Sequence, residues 1–334
     1  MLKFNHNVPE CFTPSDDFEY DFAKAKHSND VDEYRDLIKC LDKNTILEEK
    51  FDGSRFGFVK GPKGNKLLSR NSICRIVNVP YIASSLDSIF GIGTILDGEV
   101  IHPFEDHKVR WELCRSVMGS KDYRPELPTA HYLIFDVQFL NGENLRRQPM
   151  TKRYNIILDH LKDTLGEPQE GPTFFYWNNH IAMPKQFGLE EFDNLWEQIV
   201  TKGGGEGLMA KHRNEEYAAS WTKIKESFTI DAFVSGIEKG QGKYSGQIGA
   251  LVLSVYKGTQ VVEIGKASGM TDAERRSLTK LALEGKIKNI TVEVKANEVT
   301  KNGKLRHPRF LRLRNDKLAI ECTFDQLEQQ LNKE

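Results

Sequence analysis

The run Glu48-Glu49-Lys50-Phe51-Asp52-Gly53-Ser54-Arg55 constrains this chain more than any other stretch. A strand-like segment from Thr45 to Lys50 leads into Asp-Gly, a dipeptide that favours tight turns, and a second strand-like segment from Arg55 to Lys60 follows. The pattern predicts a hairpin with Lys50 at its bend, held by backbone on both sides. A lysine amine attacks an electrophile only when neutral, so burial or nearby cations must depress its pKa, and Arg55 is one such cation. Alone, Lys-x-Asp-Gly is more often a surface ion pair beside a hairpin. The decision rests with the rest of the chain.

At 334 residues with 39% hydrophobic content, the chain is long enough for two domains, each with its own core. No early apolar run flanked by positive charge and no run of 18 apolar residues occurs, so neither a signal peptide nor a membrane span is expected. A soluble, cytoplasmic monomer of a bacterial or phage-infected cell is the expectation. Cys11, Cys40, Cys74, Cys114 and Cys322 form no Cys-x-x-Cys pair, which argues against structural zinc and a disulfide framework. The net charge of -1 conceals an asymmetry: from Phe228 onward 18 Lys and Arg face 13 Asp and Glu, whereas residues 1–227 carry 29 against 35. A basic last third is compatible with a nucleic-acid face there.

Residues 1–29 read as an irregular lead-in. Asp30 with Glu33 looks like a helix start, and Val31, Tyr34, Leu37, Ile38 and Leu41 share one helical face. After the lysine segment, Gly61 to Asn65 reads as a turn and Lys66 to Asn71 as a strand containing Arg70. Thr94 to Ile101 repeats the Asp-Gly device at Asp97-Gly98, with Glu99 beside it. Tyr132 to Val137 is a buried strand interrupted by Asp136, which needs a partner or a task. Helices are predicted over Thr151 to Leu165 and Leu189 to Val200, their apolar stripes belonging to the core. Glycines flank Glu206 and would let its backbone and carboxylate approach a ligand closely. Lys223 and Lys225, at period two, share one strand face.

Beyond Phe228 come strand-like runs at 230–237, 248–256 and 260–265, a helix from Thr271 to about Glu284 with a Thr271/Glu274 capping box, and strands at 290–294 and 318–322. Five short strands with a helix between the third and fourth is the order of an OB-type Greek-key barrel. Between the first two strands, Lys239 and Lys243 lie in a glycine-rich basic loop suited to a phosphate backbone.

Together, Lys50-x-Asp52-Gly53-x-Arg55, Ser69-Arg70-Asn71, Asp97-Gly98-Glu99, Phe135-Asp136, Glu206-Gly207-x-x-x-Lys211 and Lys223-x-Lys225 resemble, in order and approximate spacing, the motifs of covalent nucleotidyltransferases. The chain is similar to minimal two-domain ATP-dependent DNA ligases of the T7-like phage type, over roughly residues 45–320. The run Leu305 to Lys317 resembles the tail motif of polynucleotide ligases. The resemblance implies an α+β fold: a nucleotidyltransferase (ATP-grasp-like) adenylation domain over residues 1–228, then an OB-fold β-barrel over residues 229–334. It implies ATP as adenylyl donor, Mg2+, nicked double-stranded DNA as partner, and sealing of 5'-phosphate/3'-hydroxyl nicks through lysyl-AMP and DNA-adenylate.

The same resemblance implies roles for single residues. Lys50 would be the adenylated nucleophile, with Lys223 and Lys225 gripping the α-phosphate and lowering its pKa. Arg55 would contact the sugar, Glu48 the adenine, Phe135 the face of the base, and Glu99 the ribose or a metal-bound water. Glu206 would help hold Mg2+, and Arg70, Lys239 and Lys243 would contact DNA. Arg314 and Lys317 would meet the nucleotide during self-adenylation only, with a hinge near Phe228. Lys211 and Asp52 stay open between structural and catalytic roles. Nothing here resembles the accessory modules of NAD-dependent ligases, which favours ATP. The alternatives are an mRNA-capping guanylyltransferase, an RNA ligase, or an inactive OB-type single-strand-binding protein.

Overall fold

The computed structural model describes residues 27–30, 43–217, 221–300 and 302–331. They form two compact units, Met1–Lys225 and Glu226–Glu334, a division that falls slightly before the boundary expected after residue 228. The helix expected after Asp30 lies outside the described residues; His27–Asp30 is a strand. No described helix is long and apolar enough to cross a membrane.

The first unit carries two sheets. The larger has the strand order Gly64–Ser69, Ser54–Gly61, Thr94–Ile101, His131–Leu140, Ile181–Pro184, Phe174–Trp177, Gln169–Glu170, with Glu143–Asn144 paired to His131–Leu140. Side chains alternate across its central strands. Phe56, Phe58, Tyr132 and Ile134 point into a core with helices Pro80–Ile89 and Met150–Leu165, while Leu133 joins Phe51, Ile101, Phe174 and Ala182 in a separate apolar cluster. The smaller sheet runs His27–Asp30, Thr222–Lys225, Leu208–His212, Thr45–Glu49, Phe187–Gly188.

This arrangement corrects the hairpin reading of Lys50. Thr45–Glu49 belongs to the smaller sheet and Ser54–Gly61 to the larger, so Lys50 to Gly53 cross between sheets instead of turning back. The glycine is required by a close approach: a Cβ at Gly53 would collide with the Val100 carbonyl oxygen. Asp97-Gly98 is likewise no turn, lying inside the strand Thr94–Ile101. Asp-Gly reads as a turn on local grounds, but pairing on both sides overrides that preference.

Asp136 finds its partner in Arg153, which donates to both carboxylate oxygens at 2.7 and 2.8 Å; both residues are buried. Arg153 also donates to the Gln148 and Glu215 carbonyls, tying helix Met150–Leu165 to the sheet and to the approach to the second sheet. Removing one member of such a pair costs about 3–5 kcal/mol. The segment Leu189 to Val200 is a broken helical run: a 3-10 turn at Leu189–Glu191, α-helix at Phe192–Trp196 and π-helix at Glu197–Thr201. Its Phe192, Leu195, Trp196 and Ile199 are core against the smaller sheet, as expected.

The second unit is an OB-type barrel. Its strand order is Gln260–Ala267, Ile248–Lys257, Phe228–Lys239, Thr291–Ala296, Arg309–Leu313, and a parallel bridge between Ser268 and Arg309 joins the ends. Helix Asp272–Leu283 stands between third and fourth strands and carries the expected capping box, Thr271 N donating to Glu274 at 2.7 Å and Glu274 N to Thr271 Oγ1 at 3.2 Å. The fifth strand is Arg309–Leu313, not the expected 318–322, where Ala319–Glu321 forms a 3-10 turn. The basic-apolar alternation of Arg309-Phe310-Leu311-Arg312-Leu313 reads poorly as an apolar strand, yet Phe310 is buried among the barrel's core residues.

Candidate active site

Lys50 leaves the smaller sheet with its backbone N–H donating to the Gly207 carbonyl at 2.9 Å. The two glutamates before it anchor the strand end on opposite faces, as strand alternation requires. Glu48 accepts from Lys211 Nζ at 2.5 Å and Gln186 Nε2 at 3.0 Å. Glu49 accepts from the Thr173 hydroxyl and from Arg110 at 3.3 Å. Burial pushes both carboxyls above their ordinary range, against the pull of Lys211 on Glu48 and of Thr173 and Arg110 on Glu49. Lys50 is thereby fixed in the lining of a pocket that it shares with the Glu48–Lys211 pair.

Glu206 pairs with Lys50 beside this pocket. One carboxylate oxygen bonds the Lys50 ammonium and the other the Lys225 ammonium. The three side chains are only 16–18% exposed. Gly207 has φ +143°, and a Cβ there would strike the Ile224 carbonyl oxygen. The glycine beside Glu206 therefore admits the protein's own neighbouring strand. The tight packing registers Leu208 against Ile224 and places Glu206 between Lys50 and Lys225.

The cavity, about 110 Å³, is lined by Glu48, Lys50, Arg55, Arg70, Glu99, Phe135 and Lys223 together with Lys211, Trp221 and Met209 among others. Arg55 binds both oxygens of Asp97, with Nε to Oδ1 at 2.9 Å, and its guanidinium lies 5.2 Å from the Phe135 ring centre and 5.6 Å from that of Trp221. Phe135 and Trp221 meet edge to face at 5.8 Å, and Lys211 Nζ sits 4.7 Å from the Trp221 ring. Burial, with Lys50, Arg70 and Arg55 as cationic neighbours, holds Lys223 below the usual lysine range. Burial also pushes the Glu99 carboxyl up, opposed by Lys50 and Arg55. The lining is thus richer in cations (Lys50, Arg55, Arg70, Lys211, Lys223) than in carboxylates (Glu48, Glu49, Glu99).

Seven of the expected residues converge on this cavity, and Glu206 and Lys225 join through Lys50. Lys223 and Lys225 diverge in use: the first lines the cavity, the second holds Glu206. In the second unit, Arg314 donates to Asp231 at 2.8 and 2.9 Å and Lys317 to Asp231 at 2.9 Å, so both tail cations end on a carboxylate of their own unit. Lys239 ends a strand and is exposed; Lys243 Nζ lies 4.5 Å from the Tyr244 ring, whose other neighbour is Arg275 at 3.9 Å.

Sequence reasoning missed Trp221, Asp97, Tyr217 and Gln186. Trp221 precedes Lys223 by two places and shares its strand face, a legible signal. Asp97 was visible beside Glu99. Tyr217, which donates to Asp97 at 2.7 Å, and Gln186 carry no local signal because their partners are remote in the chain. Lys211, left open from sequence, is a buried partner of Glu48.

The profile of the family described as ATP dependent DNA ligase domain matches residues 24–225, and that of the DNA ligase OB-like domain matches residues 239–314. The chain belongs to the ATP-dependent DNA ligase family. The DNA ligase of Methanoculleus marisnigri is 28% identical over 319 residues, covering 86% of this chain and 55% of that protein. That of Methanospirillum hungatei is 27% identical over 303 residues, covering 81% and 51%. The chain spans little more than half the length of these curated relatives. Among solved structures, a Lig E DNA ligase superposes with TM-score 0.59 at 22% identity, covering 89% of this chain and all of that one. Pmar-Lig_PreS3 gives 0.62 at 21%, covering 86% and 66%. Both share the ligase fold: an α+β adenylation domain followed by an OB-like domain.

Proposed function

We propose that this chain seals nicks in duplex DNA with ATP, through an AMP carried on Lys50. The observation that carries the reading is the Lys50–Glu206–Lys225 ion cluster, whose Lys50 lines a cation-rich pocket together with Glu48 and Lys211. In the first step the Lys50 nitrogen bonds the α-phosphorus as the bond to pyrophosphate breaks, and the amine gives up a proton. Lys223, Arg55 and Arg70 face the incoming phosphates and disfavour a further positive charge on Lys50, which helps that proton leave. AMP then passes to the nick 5'-phosphate, and the 3'-hydroxyl displaces it. Each step is phosphoryl transfer, so positioning and charge neutralisation are the protein's main tasks.

At the base end, Glu48 is an acceptor and Lys211 a donor for the edge of adenine, with Phe135 and Trp221 supplying an aromatic wall. Glu206 and Glu99 are the carboxylates for Mg2+. Among the described residues no three His, Cys, Asp or Glu side chains form a metal cage; this suits an ion that takes one or two carboxylates and keeps its waters. The ion would add neutralisation of phosphate charge. Arg70 in the first unit and Lys239 and Lys243 in the second are the proposed DNA contacts, and Arg314 and Lys317 the contacts to the departing pyrophosphate. Placement with the T7-like phage type rests on motif order alone.

Incubation with labelled ATP, GTP or NAD and Mg2+, followed by addition of a nicked duplex, tests the reading. ATP alone should label the wild type at Lys50, and the label should leave on nick sealing. Labelling by GTP would point to a capping enzyme, and no labelling by any of the three would sink the enzymatic reading.

A further inference from the structure

A second cavity, of about 310 Å³, lies in the first unit and shares no lining residue with the Lys50 pocket. Strand register builds it. Ile101 pairs with His131 and Ile181 with Tyr132, so His102 just past one strand, His131 at the start of the next and His180 before the third gather at one end of the larger sheet. His102 is 1% exposed and neither of its ring nitrogens has a hydrogen-bond partner among the described residues; Nδ1 of His131 and Nδ1 of His180 are in the same position. Buried polar atoms left without partners are costly, and three such rings around one cavity mark a place for a ligand.

The surroundings narrow its chemistry. Burial holds His102 and His131 at about 4, so their imidazoles are neutral at physiological pH and each offers one donor and one acceptor. No three described His, Cys, Asp or Glu side chains converge closely enough for a metal ion, and Glu105 in the lining disfavours an anion. Phe104 is 58% exposed at the cavity, with its ring 5.2 Å from His131 and 5.0 Å from Tyr176, both edge to face. Neutral imidazoles beside the exposed Phe104 ring suit a flat, uncharged ring with a hydrogen-bonding edge.

We propose that this cavity takes a nucleobase, its face stacked on the exposed ring of Phe104 and its edge toward the imidazoles of His131 and His180. The base can come from a free nucleoside or from an unpaired nucleotide at a DNA end; the second source rests on the ligase reading.

Both sources can be tested with 2-aminopurine, whose fluorescence falls on stacking. The free riboside and a nicked duplex carrying 2-aminopurine as a one-nucleotide flap are each titrated with full-length protein in excess ATP, which occupies the Lys50 pocket. Quenching is expected with at least one probe. Phe104→Ala, at an exposed position, and His180→Asn, which keeps a residue tolerant of the φ of +65° there, should each weaken that binding about tenfold. Melting temperature and Lys50 labelling should stay unchanged. Quenching by the riboside alone assigns a nucleoside site, and by the flap alone a DNA-end site. No quenching by either probe, or quenching that survives both substitutions, overturns the proposal. Because Lys50 labelling is read separately, failure here is distinguishable from failure of the ligase reading.

Discussion

Each unit of this protein uses one carboxylate to hold two cations, and the two clusters differ in what surrounds them. Glu206 holds Lys50 and Lys225, and Lys50 lines a pocket that also presents Lys223, Arg55 and Arg70. Asp231 holds Arg314 and Lys317, and Arg314 is shared with a second carboxylate, Asp316, at 2.9 Å. The backbone of Asp231 is in turn bracketed by Gln326, at 3.0 and 3.2 Å. The first cluster has cations in excess around it; the second is balanced and braced. An ion pair alone therefore says little about function, and the local sum of charge says more.

The largest effect should come from the nucleophile. Lys50→Ala or Lys50→Arg should reduce AMP labelling at least ~10⁴-fold, since neither supplies a neutral amine; label persisting on another lysine would refute the assignment. Glu206→Gln keeps the shape of the first cluster and removes its charge. It should cost on the order of 10²–10³ in the labelling rate while the protein still melts cooperatively.

The second cluster gives a sharper contrast. Neutralising Arg314 and Lys317 together should lower self-adenylation about 100-fold and change sealing of a pre-adenylated nick only a few-fold, because pyrophosphate leaves only in the first step. Equal losses in both assays would assign the tail to DNA binding or folding. Asp231→Asn, which frees Lys317 and leaves Arg314 with Asp316, should lower self-adenylation by about tenfold in the same assay if Asp231 orients the two cations; an unchanged or higher rate would show that it only masks them.

The last effect, read in stability and not in rate, concerns charge that is excluded instead of paired. His131 is depressed from 6.5 to about 4 by burial, with His180 and His102 as further causes. Between those values the unfolded chain binds the proton and the folded one does not, so this group's contribution is fully present above about pH 6.5 and is lost as pH falls to about 4. His131→Gln should flatten the fall in stability over that window by about 2 kcal/mol relative to the parent. An unchanged slope in denaturant titrations at pH 7 and 4.5 would show that the ring is solvated.

Much of this was legible in the sequence by itself. Periodicity gave a core helix over Thr151 to Leu165, one residue short of the observed Met150–Leu165, with the Thr271 cap and the barrel's strand-helix order, because caps and alternation act over a few residues. Motif order identified Lys50, Glu206, Lys223 and Lys225 as one constellation. Tertiary structure alone decided that Lys50 lies on a crossover between two sheets, and that Asp97-Gly98 is paired strand. It also decided that Glu206 unites Lys50 with Lys225, that Lys211 neutralises Glu48, and that Arg314 and Lys317 share Asp231. Those contacts join residues up to 163 positions apart. Local propensity carries no term for such partners; burial does, since a charge taken out of water must find its counter-charge wherever the fold brings one.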